Sequence, residues 1–322
     1  MTPTTARRCG VATARVALAE LADALGVPLP PEARPGADLW VRLAHGAPRP
    51  EPSPLLLAAD GWVHPGPSTV WSSFVDMVVS LGAPVPAAGE HFPDLRGLPS
   101  ELIDAEAGEW QLPAVSVRSA PAAAPTVAGS RAPERVRGSS VVVLGTAWAA
   151  PLVGLILAEL GAQVVRVDHP RRPDPFPLAE RLGREQRRVA LDLDAANDRD
   201  QFAALLQSAD LLVDGHTPRV RQNIDLGDDR LAAEMPGLSV LRIAAFAVGD
   251  RPGYGPAAEC RGGWAARHDP PRLGRSSVAD PVAGLLGALA AVELVTDRAP
   301  GSRARVALED AVGHLLAQEA RQ

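Results

Sequence analysis

Asp280 is the residue whose type and surroundings most directly indicate chemistry. It is followed by Pro281 and by an apolar segment that runs to about Val295, a pattern typical of a helix that begins at an aspartate. A carboxylate there can cap the free amides of the first turn, and the positive end of the helix dipole favours its ionised form. An ionised carboxylate is also a nucleophile. The local sequence leaves both interpretations open, a helix cap and a covalent catalyst.

A second candidate is a dinucleotide-binding turn after the apolar run that ends at Leu144. Gly145 precedes a helix, and Asp168 ends the next strand about 20 residues later, where such sites carry a ribose-binding acid. The turn has one glycine where the fingerprint needs three. Trp148 and Pro151 also stand where the backbone must approach a pyrophosphate. We therefore interpret Asp168 as a strand-end residue and expect neither a nicotinamide nor a flavin cofactor.

In the second half of the chain, strand patterns alternate with helix patterns. These elements must position Asp280 and the turn after Leu144. The predicted strands are Ser140–Leu144, Gln163–Asp168, Val189–Leu193, Asp210–Asp214 and Leu238–Phe246, and the predicted helices are Pro151–Leu160, Asn197–Ser208 and the segment from Asp280 to about Val295. The first strand is a continuous apolar run of the kind buried on both faces of a parallel sheet. The alternation predicts a Rossmann-like α/β fold with a doubly wound, mostly parallel sheet.

The sequence pattern in the first half of the chain predicts a smaller α+β lobe. Apolar spacing indicates helices over Val11–Leu25 and Trp71–Leu81, and Leu55–Val63 is typical of a hairpin with an Asp-Gly turn. Ser119–Gly138 is rich in alanine, proline and glycine and has no periodicity, so it is the predicted linker. We expect a smaller lobe at 1–118, a linker at 119–138 and an α/β domain at 139–322.

Composition excludes several classes of function. The 322 residues carry a net charge of −6 with no basic block, so we expect no nucleic-acid partner. No uninterrupted apolar run of about 18 residues occurs, and no apolar segment follows the polar start, so we expect a cytoplasmic protein with no membrane partner. Cys9 and Cys260 lack metal-ligand spacing and are interpreted as structural thiols. The basic residues are all arginine, which excludes a lysine Schiff base.

Five groups of residues then occur in an order that resembles a known family. They are Val141–Leu144 with Pro151 and Leu157–Pro170, then Arg187–Leu193, then Asp210–Asp214 with Pro218, then Val278–Asp280 with Gly284, and finally Val306–Ala311. This order resembles the class III CoA-transferases, the formyl-CoA transferase and carnitine dehydratase-like family, over about Ser140 to Leu316. Short upstream segments resemble parts that follow the catalytic helix in the family, which indicates a branch with the smaller lobe N-terminal. These segments are Asp60–Val63, Trp71–Gly82 and Glu109–Ala114.

The resemblance implies an activity. In that family the aspartate matching Asp280 attacks an acyl-CoA thioester and forms an enzyme-bound anhydride. CoA thiolate returns to give an aspartyl-CoA thioester, and an acceptor carboxylate then takes the CoA. The resemblance thus implies a CoA-transferase with Asp280 as its nucleophile. The implied partners are an acyl-CoA, which supplies coenzyme A as a substrate thioester, and a carboxylate acceptor. No metal is implied.

The resemblance also implies binding residues. The turn after the first strand would lie beside the thioester, so Trp148, Ala149 and Ala150 are expected to line the pocket. The alternative for Trp148 is an ordinary buried aromatic. A local set of arginines could meet the CoA phosphates or form a solvated surface, and it comprises Arg166, Arg171, Arg172 and Arg181. Where the family has an arginine that helps to hold the adenine end of CoA, this chain has Thr217, and the neighbouring His216 and Arg219 are the candidates to replace it.

Two further departures keep other hypotheses open. Asp194 stands where the family has a lysine, and the glycine-rich loop that covers the active site has no match. A non-catalytic subunit that pairs with an active partner is therefore an alternative. An α-methylacyl-CoA racemase is another, but where that relative has a histidine this chain has Ala258-Glu259-Cys260. Family members form interlocked dimers, so the resemblance implies a homodimer or pairing with a related subunit.

Overall fold

The computed structural model describes residues 54–120, 122–123, 133–174, 178–249, 251–274, 277–296 and 299–321. The strands are β1 (Leu56–Leu57), β2 (Trp62–His64), β3 (Val115–Ser116), β4 (Ser140–Leu144), β5 (Gln163–Asp168), β6 (Arg187–Ala190), β7 (Leu211–Asp214), β8 (Ser239–Ala244) and β9 (Arg303–Ala307). The helices are α1 (Trp71–Ser80), α2 (Ser100–Glu109), α3 (Ala149–Glu159), α4 (Leu178–Leu182), α5 (Ala196–Gln207), α6 (Pro218–Asn223), α7 (Asp228–Glu234), α8 (Gly255–Arg261), α9 (Ala279–Thr296) and α10 (Leu308–Glu319).

Six strands form a parallel sheet in the order β6-β5-β4-β7-β8-β9. The central strand β4 has four buried residues in a row, because helices cover both of its faces. The predicted limits Ser140–Leu144 and Gln163–Asp168 are confirmed to the residue. The doubly wound, mostly parallel fold predicted from the alternation of strands and helices is confirmed.

Different helices cover the two faces of this sheet. On one face, Val142 and Leu212 belong to an apolar cluster that includes Phe202 of α5 and Leu231 of α7. On the other face α9 lies against α3 and β8. A side chain at Gly287 of α9 would begin 2.8 Å from Val153 Cγ2 and 3.0 Å from Ile243 Cδ1. Glycine at this position therefore allows helix and sheet to approach closely.

The three-stranded sheet, β1-β2-β3, is antiparallel. Leu56 pairs with Val63, and the Ala58 N–H donates to the Gly61 carbonyl at 2.8 Å across the Asp-Gly turn, so the predicted hairpin is confirmed. Helix α1 lies where the apolar spacing predicts a helix, and it ends one residue early. Its buried face belongs to a core that also includes residues of α2. The members on α1 and α2 are Phe74, Met77, Val78, Ile103 and Ala107.

The chain separates into two compact units. Of the described residues, 133–244 and 280–307 form one, which we call the six-strand unit, and 54–123, 245–279 and 308–321 form the other, the three-strand unit. Within the three-strand unit, the Arg118 N–H donates to the Cys260 carbonyl at 3.0 Å, so its distant segments are joined by backbone hydrogen bonds. The smaller lobe at 1–118, the linker at 119–138 and the α/β domain at 139–322 stay predictions.

Several elements differ from the sequence prediction. The edge strand β6 covers 187–190 instead of 189–193, and because most of its residues are exposed it lacks the apolar pattern that marks the central strands. Helix α3 starts two residues before Pro151. Helices α2 and α8 were not predicted, since α2 is largely polar and α8 has only seven residues. The predicted helix Val11–Leu25 lies outside the described residues.

Helix α9 is long and apolar enough to cross a membrane by length and composition. Most of it is buried inside the protein, as expected of a core helix. Its burial follows from the contacts with α3 and β8 on the sheet face. The cytoplasmic location stays a prediction.

Candidate active site

The candidate site lies at the carboxyl ends of β4 and β7. The chain leaves β4 toward β5 on one side of the sheet and later returns to β7 on the other, so the strand order reverses between these two neighbours. In open α/β sheets ligands bind in the crevice at such a reversal. The turns that follow β4 and β7 therefore form the walls of the candidate crevice.

These two turns approach each other closely through glycines. The Gly215 N–H donates to the Leu144 carbonyl at 2.8 Å. A Cβ atom at Gly145 would lie 3.2 Å from the Ala150 side chain and 3.4 Å from the backbone of Gly215. Gly145 also has a φ of 139°, which residues with side chains rarely adopt. The contact between the turns thus depends on glycine at both positions.

Helix α3 starts at this crevice. Trp148 is half-buried and stands at the N-cap, and its side chain makes no capping hydrogen bond. The first turn contains no acidic residue, and Ala149 and Ala150 are buried. A helix start without a side-chain cap presents backbone N–H donors and a positive dipole end. These donors suit an oxygen atom that gains negative charge during a reaction.

Asp280 is half-buried in the first turn of α9. The helix begins at Ala279, so Asp280 lies one residue inside it and not at the N-cap position expected from Pro281. The helix dipole acts on a carboxylate throughout the first turn, so the expected electrostatic setting remains. One turn later, a Cβ at Gly284 would lie 2.8 Å from Leu152 Cδ2 of α3. The first turns of α9 therefore pack against the first turns of α3.

The segment that leads into α9 is held by Glu259 of α8. The Val278 N–H, two residues before Asp280, donates to the Glu259 carboxylate at 2.7 Å. Glu259 is only 1% exposed. A buried carboxylate needs such donors, because burial without hydrogen bonds is costly. Glu259 lies where the racemase hypothesis requires a histidine, and its carboxylate accepts from the Val278 N–H.

Asp214 and His216 form a pair at the end of β7. Asp214 is fully buried, and its Oδ1 atom accepts from the His216 backbone N–H at 3.0 Å and lies 2.9 Å from His216 Nδ1. Its Oδ2 atom accepts from Arg242 of β8. Burial acts to raise the pKa of Asp214, but the His216 imidazole and the Arg242 guanidinium outweigh it and hold the pKa below its usual value. Asp214 thereby fixes the orientation of the His216 ring.

A second buried pair supports the turn after β4. Arg166 of β5 is fully buried, and its Nη2 atom donates to Asp174 Oδ2 at 2.9 Å. The same oxygen accepts from the Ala147 N–H at 2.9 Å. The expectation that Arg166 meets a CoA phosphate is wrong, because its side chain is buried and paired with acidic residues. A positive charge inside the sheet requires such partners.

The other predicted binding residues lie at the surface. Arg171 and Arg172 are exposed after β5, and the Arg171 guanidinium pairs with Asp192. Arg219 is exposed on α6. Thr217 caps the same helix, with its hydroxyl accepting from the Val220 N–H at 3.5 Å. The structure thus brings Trp148, His216 and the turn glycines to the candidate crevice, while the arginines lie on exposed parts of the unit.

One group of side chains resembles a metal site in composition. His169, Asp192 and Asp194 each offer a ligand atom, and these atoms lie within 4.8 Å of one another. However, His169 Nδ1 accepts from the Arg171 N–H at 3.1 Å. In a neutral ring Nε2 then carries the proton and has no lone pair for a metal. With Arg171 also paired to Asp192, this set does not fit a metal ion.

Cys260, one of the two interpreted structural thiols, is free and buried. Burial, together with the neighbouring Glu259 charge, raises its pKa well above the usual value. A thiol in this state is a poor nucleophile. The other, Cys9, lies outside the described residues.

Sequence reasoning missed Asp174, Arg242 and Glu259. For the two buried pairs a signal was present, because an arginine interrupts an otherwise apolar strand in both β5 and β8. A charge inside a buried strand implies a partner of opposite charge. The sequence does not say which acidic residue that partner is.

The family model described as CoA-transferase family III matches residues 136–322. This chain belongs to CoA-transferase family III. The match includes the whole parallel sheet, the turn after β4 and Asp280. The predicted family is therefore confirmed.

Relatives with known names agree with this family. Succinyl-CoA--D-citramalate CoA-transferase of Chloroflexus aurantiacus is 26% identical over 56% of this chain and 50% of its own length. Human alpha-methylacyl-CoA racemase is 34% identical over 34% of this chain and 28% of its own length. The chain thus spans at most half the length of these curated relatives. The crystal structure of a hypothetical protein from Mycobacterium tuberculosis is similar in fold, with a TM-score of 0.51, 23% identity and coverage of 57% of this chain and 58% of that chain.

Proposed function

We propose that this protein transfers coenzyme A from an acyl-CoA thioester to a carboxylic acid, with Asp280 as the nucleophile. The observation that carries the proposal is the setting of Asp280. It is half-buried in the first turn of α9, and that helix packs on the start of α3 at the reversal point of the sheet. The first turn of a helix favours the ionised form of a carboxylate, and the N–H groups at the start of α3, on which α9 packs, suit a developing oxyanion.

The reaction is a sequence of acyl transfers. An Asp280 oxygen attacks the thioester carbonyl carbon, the C–S bond breaks, and CoA leaves as a thiolate while a mixed anhydride forms. The thiolate attacks the Asp280 carbonyl carbon and displaces the first acyl group as a carboxylate. The acceptor carboxylate attacks the aspartyl-CoA thioester and expels CoA thiolate. That thiolate takes the acceptor's acyl group from the second anhydride, which regenerates Asp280.

The neighbouring residues have supporting roles in this proposal. The backbone N–H groups of Ala149 and Ala150 would stabilise the oxyanion formed at the thioester carbonyl, and Trp148 would cover the acyl group. His216, oriented by Asp214, would bind a polar part of CoA. Arg171, Arg172 and Arg219 would meet its phosphates, and Arg171 would exchange its pairing with Asp192 for a phosphate.

The test is trapping of the covalent intermediate. Purified protein is incubated with succinyl-CoA or acetyl-CoA and then with hydroxylamine, which converts an aspartyl anhydride or thioester into a hydroxamate. Peptide mass spectrometry should find the hydroxamate on Asp280. The Asp280→Ala and Asp280→Asn variants should give none, because neither side chain can form the acyl intermediate.

Asp229→Ala is the matched control. Asp229 also lies in the first turn of a helix, α7, but is exposed on the surface. This variant should keep the hydroxamate at Asp280. Protein that binds acyl-CoA but gives no hydroxamate at Asp280 over a panel of acyl groups would contradict the proposed nucleophile.

A second candidate function is a non-catalytic subunit of a hetero-oligomer. Its motivation is Thr217, which serves as a helix cap where the resemblance implies a CoA-binding arginine, and the exposed Asp194 in place of a lysine. One relative is named Succinyl-CoA--L-malate CoA-transferase beta subunit, so named subunits occur among the relatives of this chain. Calorimetry of the isolated chain with CoA separates the two. Binding at micromolar concentration supports the enzyme, whereas no binding together with co-purification of a related chain supports the subunit.

A further inference from the structure

The turn between β4 and α3 contains a residue in an unfavourable backbone conformation. Ala147 has a φ of 67°, in the left-handed region, although it is not a glycine. This conformation costs roughly 1 kcal/mol for a residue with a Cβ atom. Such residues persist where surrounding contacts hold them. In this case the contact is the hydrogen bond from the Ala147 N–H to Asp174 Oδ2, at 2.9 Å.

Asp174 is in turn held by a line of charged groups that reaches into the sheet. Its side chain is 1% exposed, and Arg166 Nη2 donates to it at 2.9 Å. Arg166 Nε donates to Asp168 at 2.9 Å, and Asp168 also accepts from Arg188 at 2.7 Å. Two arginines thus neutralise two aspartates. The line ends on the backbone of Ala147.

Stability alone does not account for this line of charges. Burying an ion pair costs desolvation energy that apolar side chains of similar size would not incur. Arg166 Nη1 has no hydrogen-bond partner among the described residues, so the guanidinium is not fully compensated. The pair holds one particular turn, directly before Trp148 and the first amides of α3. This points to a role in shaping that turn.

We propose that Arg166 and Asp174 are positioning residues of the acyl-CoA site. They hold Ala147 in the left-handed conformation, so that Trp148 and the N–H groups of Ala149 and Ala150 face the crevice at the end of β4. Neither residue contacts the thioester itself. The inference rests on the proposed CoA transfer and adds the residues that preorganise its oxyanion donors.

The first test uses Trp148 as a reporter of the turn. The full chain is labelled with 5-fluorotryptophan, and the Trp148 signal in the ¹⁹F NMR spectrum is assigned by its loss in Trp148→Phe. Asp174→Ala and Arg166→Met should shift or broaden this signal and leave those of Trp62, Trp71 and Trp264 in place. Glu159→Ala breaks an exposed ion pair with Arg184 at the other end of α3, and should leave the Trp148 signal unchanged.

The second test measures the rate at which Asp280 is acylated, by hydroxamate trapping. Asp174→Ala should slow it about 10- to 100-fold, because small displacements of catalytic groups have effects of this size. Asp174→Asn keeps an oxygen acceptor for Ala147 and Arg166, so it should recover most of the rate and most of the Trp148 signal. Recovery by Asn identifies positioning and not charge as the property that matters.

An unchanged Trp148 signal and an unchanged acylation rate in folded Asp174→Ala would overturn the proposal, whatever happens to stability. If the alanine variant does not fold, Arg166→Met replaces it, because methionine cannot donate to Asp174. A folded Arg166→Met variant without any shift of the Trp148 signal would then also overturn the proposal. The NMR signal requires no activity. A wild-type protein that forms no Asp280 adduct would therefore count against the proposed function and leave the positioning test intact.

Discussion

Asp214 is a carboxylate with no access to solvent whose charge is balanced from two sides. Arg242 contacts one oxygen, and the His216 side chain and backbone contact the other. Arg242 also donates to Asp228 and to the Leu226 carbonyl, so its position is fixed by several groups. Removing one partner from such a network leaves a buried charge without compensation. The cost of a single substitution should therefore exceed that of a surface ion pair.

We predict that Asp214→Asn lowers the free energy of unfolding by about 3 kcal/mol at pH 7, since it removes the buried negative charge and leaves Arg242 with the exposed Asp228 as its remaining acidic partner. Folding lowers the pKa of Asp214, so its contribution is present above the ordinary aspartate pKa and is lost as pH falls through the folded value. The difference from wild type should shrink below about pH 4. Urea unfolding across this pH range measures it.

Asp200→Asn is the control for this prediction. Asp200 is exposed on α5, so its replacement should change stability by less than about 0.5 kcal/mol. An Asp214→Asn variant as stable as Asp200→Asn at pH 7 would show that the buried pair makes no net contribution.

At the scale of single residues, sequence rules find the candidate positions that depend on local chain order. Asp280 is a candidate because it precedes a proline and an apolar helix, whereas His216 is a candidate through the family resemblance; the roles of both stay predictions. The acidic partners of the buried arginines could not be predicted from the sequence. Asp174 lies 8 residues from Arg166, and Asp214 lies 28 residues from Arg242. Whether these residues contact each other depends on which strands are neighbours in the sheet and on the conformation of the loops. The local sequence pattern specifies neither.

At the scale of elements, the position of α9 depends on two glycines that face α3 and β8. The space at Gly284 is limited by Leu152 Cδ2 at 2.8 Å and Leu152 Cβ at 3.1 Å. The second of these atoms is attached to the backbone and cannot move aside as a flexible side-chain end can. An added methyl group at Gly284 must therefore separate the two helices or move α3.

We predict that Gly284→Ala destabilises the protein by about 1–3 kcal/mol through this overpacking, although alanine favours a helix by about 1 kcal/mol relative to glycine. Urea unfolding of the full chain provides the measurement. Gly237→Ala is the matched control in the same unit, because no atom lies within 4 Å of its Cβ position. Equal stability of the two variants would show that α9 and α3 adjust without cost.

The same scale shows where sequence prediction of elements succeeds. The buried strands β4 and β5 could be predicted to the residue, because both are bounded by a turn and enriched in valine. The prediction for the exposed edge strand β6 starts two residues late and ends three residues late, since exposed residues carry no burial pattern. The polar helix α2 gives a similarly weak signal. An element that is buried on both faces can therefore be predicted from the sequence more accurately than an exposed one.

At the scale of the whole molecule, the two units should respond differently to acid. His64 of β2 is 2% exposed in the three-strand unit, and its Nδ1 atom accepts from the Gly66 N–H at 3.1 Å. Its Nε2 atom has no hydrogen-bond partner among the described residues. Burial lowers the pKa of His64 to about 4. The folded unit therefore keeps a neutral ring at pH values where the unfolded chain is protonated.

This difference sets a pH window for the three-strand unit. Unfolded histidine has a pKa of about 6.5, so between that pH and about 4 only the unfolded state binds the proton, and stability falls as pH falls. The full effect is about 3 kcal/mol, from roughly 1.4 kcal/mol for each pH unit. Protonation of His64 does not change the stability of the six-strand unit. We expect hydrogen exchange at pH 5 to increase first in the three-strand unit.

The variant His64→Gln should remove this window, because glutamine does not titrate and its side-chain oxygen can replace Nδ1 as acceptor for the Gly66 N–H. Urea unfolding at pH 7.5, 6 and 5 should then show a shallower loss of stability than in wild type. His91→Gln, at an exposed histidine of the same unit, should retain the wild-type slope. Parallel pH profiles for wild type and His64→Gln would contradict the assignment, since the acid sensitivity would then come from other groups.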